Sequence, residues 1–343
     1  MKHALLLYGI LILLLAGCFL TVLFTGNIHI PLRDVLRILF AGDGSMSEEW
    51  VIIIREFRLP KAVTAALAGS ALSVGGLQMQ AIFRNPLAGP YVLGISAGAT
   101  LGVAVVMMGF SAAAATDHAG MTGNWMIVTA AFLGAAAVLF LIFSVSLRIK
   151  DVMTILILGI MFGSITSSFI NMLQFFSSES LLKSFTVWTM GSLHAVTASQ
   201  LEVLLPCLSL GLLLSLLTVK NLNAMLLGEN YARSLGVNIM ASRLLIFCST
   251  GILAGSVTAF CGPIGFIGIA VPHICRMLFR TSDQRILLLA CILLGATVML
   301  LSDFISTLPS GGMVLPINSV TAFIGIPVIV WVIVRNHKMS SLI

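Results

Sequence analysis

Long apolar runs, separated by short charged or turn-rich stretches, set the pattern of this chain. The runs cover residues 4–28, 62–83, 91–110, 126–147, 152–175, 201–219, 244–260, 262–277, 286–302 and 316–334. About 20 apolar residues carry a helix across the hydrocarbon core of a bilayer. The pattern therefore predicts an all-α membrane protein of about ten transmembrane helices, forming a single polytopic domain over 1–343. The eighth run is short and interrupted by Pro263 and Pro272. The first run is too long for the apolar core of a signal peptide and has no small-residue cleavage site, so it reads as a retained helix. Between the runs lie an external loop (27–61), a polar loop with Asp117, His118 and Asn124, a mixed segment (177–199) with Trp188 and His194, and a polar stretch at 220–243.

Composition agrees with lipid as the solvent. Hydrophobic residues make up 59% of the 343 positions and charged residues 9%, against about 25% charge in a soluble domain. With an even number of spans, both termini share a side with twelve Lys/Arg residues, leaving six on the other. Excess Lys/Arg marks the cytoplasm, so the termini are expected there, with the chain in the bacterial inner membrane. The net charge of +6 forms no basic cluster on a soluble face, and no nucleic-acid partner is implied. Six cysteines in or beside apolar runs, with no CxxC pair, read as packing residues, neither a disulfide framework nor a metal site. No lysine follows a glycine, which excludes a GK[ST] phosphate loop. No catalytic constellation is visible. Ion-coupled carriers keep ionisable groups within their spans. Asp303, Glu202 and His273 all fall near span ends, so a secondary transporter is the alternative from another class.

Three segments carry candidate chemistry. In the fifth run Ser164, Ser167, Ser168 and Asn171 share one helical face. That is either a wet pathway wall or a set of hydroxyls bonded to their own backbone. The stretch 220–243 opens with Asn221 and Asn223, which suit turns and caps. Glu229 and Arg233 sit at the spacing of a helical ion pair. Leu222, Met225, Leu226 and Leu235 add apolar contacts, and Gly228 and Gly236 cut the stretch into short helices. A short, partly apolar helix outside the membrane either docks in a partner's groove or packs on its own chain. On the external side, Arg55, Arg58 and Lys61 precede the second span. They either snorkel to the interface or pair with acids on a docking protein. Arg33 and Arg37 lie four apart on an expected surface helix. Arg84 reads as a span anchor and His273 as a structural histidine.

Four segments resemble permeases of the FecCD type, from ABC importers of ferric siderophores, heme and cobalamin. They are Arg58-Leu-Pro-Lys61; Gln80-Ala-Ile-Phe-Arg-Asn-Pro-Leu-Ala-Gly-Pro-Tyr-Val-Leu-Gly94 with Ser96-Ala-Gly98; Leu227-Gly-Glu-Asn-Tyr-Ala-Arg-Ser-Leu-Gly236; and Gly262-Pro-Ile-Gly-Phe-Ile-Gly-Ile-Ala-Val-Pro-His-Ile-Cys-Arg276. The stretch 188–193 and Asp303 fit as well. The resemblance implies a type II importer permease that works by alternating access and is not an enzyme. It implies a second permease subunit, in a homodimer or close heterodimer, two cytoplasmic ATPase subunits that hold ATP and Mg, and an external binding protein. By the same resemblance Leu222, Met225, Leu226, Gly228, Glu229, Arg233, Leu235 and Gly236 belong to the ATPase-coupling segment. Arg58 and Lys61 match basic docking positions, the fifth run lines the pathway, and Val152 and Met153 match inner-gate positions. The implied cargo is a ferric siderophore or heme, with cobalamin as alternative. Two departures stand out. Thr307 and Val314-Leu315-Pro316 replace a paired arginine and glutamate around the last external loop, which moves docking weight onto the first. Asn318 stands where glycine is usual.

Overall fold

The computed structural model describes residues 2–26, 28, 30–40, 47–109, 121–149, 151–309 and 314–340. Among these every regular element is a helix, with no strand. The elements run α1 (Lys2–Phe24), α2 (Leu32–Phe40), α3 (Glu48–Ile52), a π-helical turn (Ile53–Arg58), α4 (Leu59–Phe83), α5 (Ile95–Ala104) continued by a second π-helical turn (Val105–Gly109), and α6 (Met121–Ser146). They continue with α7 (Val152–Phe175), α8 (Glu179–Thr189), α9 (Ala198–Leu226), α10 (Glu229–Ser234), α11 (Ile239–Cys261), α12 (Ile267–Phe279), α13 (Gln284–Ser306) and α14 (Ile317–Ser340). Seven helices are long and apolar enough to cross a membrane, and three shorter apolar ones (95–109, 267–279, 317–331) take the other expected places. Asp117 and His118 lie outside the described residues.

The bundle is layered around α4. This helix packs on α9, α11, α12 and α13, and α4 and α11 are largely buried, whereas α1, α6 and α7 are mostly exposed. Lipid tails are as apolar as leucine, so helices gain little from hydrophobic burial against one another and associate through close packing and hydrogen bonds. The sequence provides for close packing with glycine. A methyl group added at Gly76 would sit 1.7 Å from the Gly268 carbonyl oxygen of α12, and one at Gly69 would sit 2.1 Å from that of Gly295 in α13. Backbones therefore touch with no side chain between them. Gly98 of α5 and Gly134 of α6 meet in the same way.

Polar side chains hold the neighbouring contacts of α4 with α9 and α11 together. Gln78 of α4 donates to the Thr218 hydroxyl of α9 (3.1 Å) and accepts from the Thr250 hydroxyl of α11 (2.8 Å). Ser215 and Ser249 join α9 to α11 at 2.7 Å. All five side chains are buried, where an unmade hydrogen bond is costly.

The short α12 needs a further device. Thirteen residues span about 20 Å of helix, less than the hydrocarbon core. Non-helical residues 262–266 make up the depth, and irregular backbone is tolerated there only when covered by protein. The Tyr91 hydroxyl accepts from the Ile264 amide, and the Asn318 side chain from the Gly265 amide (3.0 Å). Pro272 lies inside α12 and does not end it; Pro263 precedes the helix. The unexpected asparagine at 318 thus has a structural task.

A buried ion pair ties α4 to α13. Lys61 Nζ lies 2.9 Å from Asp303 Oδ2, with the two side chains 11% and 1% exposed. Among the described residues no hydrogen bond reaches either carboxylate oxygen beyond this contact, so the attraction of Lys61 compensates the burial of Asp303. His194, from the loop before α9, lies 3.7 Å away. Burial, and then the Lys61 charge, push its pKa below the usual imidazole value against the opposing pull of Asp303, so it is neutral at pH 7. The sequence places Lys61 at the mouth of an external loop; in the structure α4 starts before it and encloses it.

Gly76→Leu should lower the melting temperature in detergent by well over about 5 °C, because it drives side-chain atoms into backbone, whereas Gly17→Leu, which meets open space, should leave it unchanged. Lys61→Met should destabilise by about 3–5 kcal/mol by leaving a buried carboxylate unpaired. The double variant Lys61→Met/Asp303→Leu should recover most of that loss in the same melting assay.

Candidate functional site

The end of the bundle with the majority of Lys/Arg, assigned to the cytoplasm, carries the most open cleft chemistry. Helix α9 starts with a reciprocal cap between Thr197 and Gln200 and runs on to Leu226. It passes through Lys220, Asn221 and Asn223, which the sequence pattern puts in a loop. Neither asparagine is a cap. Asn221 donates to the Ser242 hydroxyl, and Asn223 donates to Asp283, the N-cap of α13, at 2.7 Å. The polar stretch therefore reduces to residues 227–238. Within it Gly228 (φ +120°) and Gly236 (φ +81°) bracket the two-turn helix α10, in positive-φ conformations that suit glycine.

The coupling residues expected from the sequence divide into three groups. Gly228 and Glu229 are half-buried. Leu222 and Met225 point into the bundle and are buried. Leu226, Arg233, Leu235 and Gly236 are exposed. Two residues missed in the sequence, Leu227 and Tyr231, add to Leu235 as exposed apolar groups at 70%, 49% and 59% exposure. Their i, i+4 spacing was the available signal. Glu229 does not pair with Arg233. Its partner is Arg243, at the start of the second turn of α11. A buried guanidinium needs an anion more than the exposed Arg233 does, which decides the competition.

Beside α10 lies a cleft of about 650 Å³ lined by Arg84, Asp151, Val152, Met153, Glu229 and Arg243, among others. Asp151 is the N-cap of α7, accepting from the Thr154 amide (2.8 Å) and hydroxyl (2.6 Å). These bonds from Thr154, with Arg243 contributing, hold its carboxyl below the usual carboxylate range. The two expected gate residues differ: Met153 faces the open cleft at 46% exposure, and Val152 is buried. A second cleft, of about 730 Å³, is lined by Gln80, Arg84, His273, Arg276, Arg280 and Trp331, among others. Several of these side chains are engaged within the chain. Arg84 donates to the Met225 carbonyl near the end of α9, Arg276 to Gln80, and His273 bonds the Pro86 carbonyl. Both the anchor reading of Arg84 and the structural reading of His273 fit this geometry.

On α7, Ser164, Ser167, Ser168 and Asn171 all lie at least partly open on one face. The three serine hydroxyls donate to the carbonyls of Ile160, Gly163 and Ser164. The hydroxyl protons are therefore used within the helix, on a helix whose apolar Ile157, Met161, Ile165 and Phe169 are exposed as well.

On the opposite, external side the basic residues part company. Arg58 is buried and donates to the carbonyls of Leu23, Phe24 and Ile28, closing the end of α1. Lys61 belongs to the buried pair with Asp303. Their charges are used inside the chain and are not presented outward. Arg55 is exposed and donates to the Ile38 carbonyl, and Arg33 and Arg37 are exposed on α2. Among the described residues no cluster of His, Cys, Asp and Glu could hold a metal ion.

Comparison with known proteins agrees with this architecture. The profile of the FecCD transport family matches residues 12–335. The chain is 35% identical to the uncharacterized ABC transporter permease protein YvrB of Bacillus subtilis, over 91% of this chain and 89% of that one. It is 35% identical to the vitamin B12 import system permease protein BtuC of Klebsiella pneumoniae, over 85% of each. BtuC of Escherichia coli is 33% identical over 84% of this chain and 85% of its own. A solved structure described as an inward-facing conformation of an ABC transporter assigned to the metal-chelate type superposes with a TM-score of 0.82 at 28% identity, covering 96% of this chain and 99% of that one. A helical body with this many apolar spans, matched along nearly its whole length to permease subunits, is a multi-pass transport subunit of the bacterial inner membrane and not an enzyme. The chain belongs to the FecCD transport family.

Proposed function

We propose that this chain is the membrane half of an ATP-driven importer and passes a bulky metal chelate (a ferric siderophore, heme or cobalamin) between two copies of itself. Two cytoplasmic ATPase subunits that bind ATP and Mg supply the energy, and an external binding protein delivers the cargo. The observation that carries the reading is the exposed apolar set Leu227, Tyr231 and Leu235 on and beside the short helix α10, near the gate end of α7. A helix that short is not stable alone, and apolar residues facing cytosol call for a covering protein. The exposed faces of α7 and α14, with Ile157, Phe169, Phe323 and Val330 outward, suit a second copy. Exposed Arg33, Arg37 and Arg55 suit acidic residues on the binding protein, with Arg58 and Lys61 supporting that face from inside.

Cobalamin is favoured as a second specific reading by the names of the BtuC relatives. The metal-chelate description of the solved structure favours the broader class. In the reconstituted complex, the cargo is the chelate that raises ATP turnover when presented with its binding protein.

Tyr231→Asp with Leu235→Asp should reduce copurification of the ATPase at least about tenfold, with membrane insertion unchanged; undiminished copurification would remove α10 from the ATPase interface. Uptake into vesicles by the purified chain alone, without any nucleotide-hydrolysing subunit, would sink the importer reading.

A further inference from the structure

The cytoplasmic end of the bundle gathers cations with no anion to match them. Arg84, Arg276 and Arg280 line the cleft of about 730 Å³, and no Asp or Glu is among the described residues that line it. The hydrogen-bond acceptors these arginines do have are neutral. Arg276 donates to the Gln80 amide oxygen and Arg84 to the Met225 carbonyl. Among the described residues no carboxylate comes within ion-pair distance of any of the three. Asp283, the nearest acid along the chain, already accepts from Asn223 and from the Arg285 amide. Arg276 is only partly exposed, and a guanidinium withdrawn from water ordinarily requires an anion.

The backbone brings these charges together at some cost. Arg84 ends α4 and Arg280 ends α12, both in left-handed conformation (φ +46° and +50°). Glycine suits such a helix end, and neither position has it. The negative pole of each helix favours a cation at its own end. Here the two ends share one cleft, with Arg276 one turn before Arg280. Three like charges at one cleft repel unless an anion lies between them.

Planar guanidinium groups match the oxygens of a phosphate with paired hydrogen bonds. The remaining walls suit a lipid. Trp331, on the last part of α14, is half exposed, and tryptophan favours the headgroup level of a bilayer. Leu226 and Met277 add exposed apolar surface beside the charges. The volume falls in the range of roughly 300–1,000 Å³ found for ligand clefts. We propose that this cleft binds a phosphate-bearing anion, the headgroup of an acidic phospholipid of the cytoplasmic leaflet, through Arg84, Arg276 and Arg280. The lipid joins the ends of α4, α12 and α14 and neutralises the charges between them. This goes beyond the importer reading and does not depend on it.

The test uses the purified full chain in a neutral detergent, with melting and native mass spectrometry as readouts. Phosphatidylglycerol should raise the wild-type melting temperature by about 4 °C or more over the same amount of phosphatidylcholine, because a ligand of the folded state stabilises it. Arg276→Gln/Arg280→Gln should abolish that rise and reduce retained phosphatidylglycerol about tenfold. Arg148→Gln/Lys220→Gln removes two exposed charges outside the cleft on the same side and should respond as wild type. Arg280→Gly keeps the test sound if the double variant does not fold. Glycine relieves the left-handed helix end, so this variant should melt no lower without lipid and yet gain less from phosphatidylglycerol. Inorganic phosphate, against chloride at equal ionic strength, distinguishes the two sources of the anion. A rise equal to that with lipid assigns the site to the phosphate group alone, and no rise assigns it to the whole lipid. Wild-type retention of lipid in both cleft variants overturns the proposal, whether or not ATPase copurification falls. An equal loss in Arg148→Gln/Lys220→Gln also overturns it, because the attraction is then to positive charge at large. So does a wild type that responds to neither phosphatidylglycerol nor phosphate.

Discussion

Backbone-to-backbone contact of α4 with α12 and α13 is the constraint on which the rest of the structure depends. At Gly76 and Gly69 the helices approach until an added methyl group would lie 1.7 and 2.1 Å from a facing carbonyl oxygen. Contact this close gains dispersion over many atoms, which matters in a solvent that gives little other reason for helices to associate. It also fixes the helices in register. The Gln78 network can close only because α9 and α11 are held on the remaining sides of α4. The Lys61–Asp303 pair can be buried only because α13 is pressed against the same helix.

From that centre the elements to which transport roles are proposed lie outward. The α7 helix, with few buried positions, can present one face to a passage and remain attached through α5. The two-turn α10 sits at the rim, packed on α9 and α11, with Ala232 buried and Glu229 paired to Arg243. Loosely held elements are where motion is cheap, and here they sit beside each other at one end. The arrangement suits a device in which the core transmits little and the rim moves.

Much of this was legible in the chain. Apolar run length found the spans, because lipid demands a minimum length and excludes charge. Gly228 and Gly236 found both ends of α10. Reading the polar stretches as loops failed wherever a polar residue had a tertiary partner. Asn221 and Asn223 continue α9 since their amides reach Ser242 and Asp283. Lys61 lies within a helix because Asp303, far along the chain, faces it. Spacing alone favoured Arg233 for Glu229, whereas burial of a more distant arginine settled the matter. Such pairings depend on which helix lies beside which, and periodicity along one segment does not contain that.

The closure of α1 by Arg58 bears on how the chain comes into being. The carbonyls of Leu23 and Phe24 stand 35 and 34 positions ahead of the guanidinium that satisfies them. During synthesis the leading helix enters the bilayer with that end still open. Its seat is completed only when the stretch preceding the next crossing has been made, so the placement of α1 waits on later-made residues.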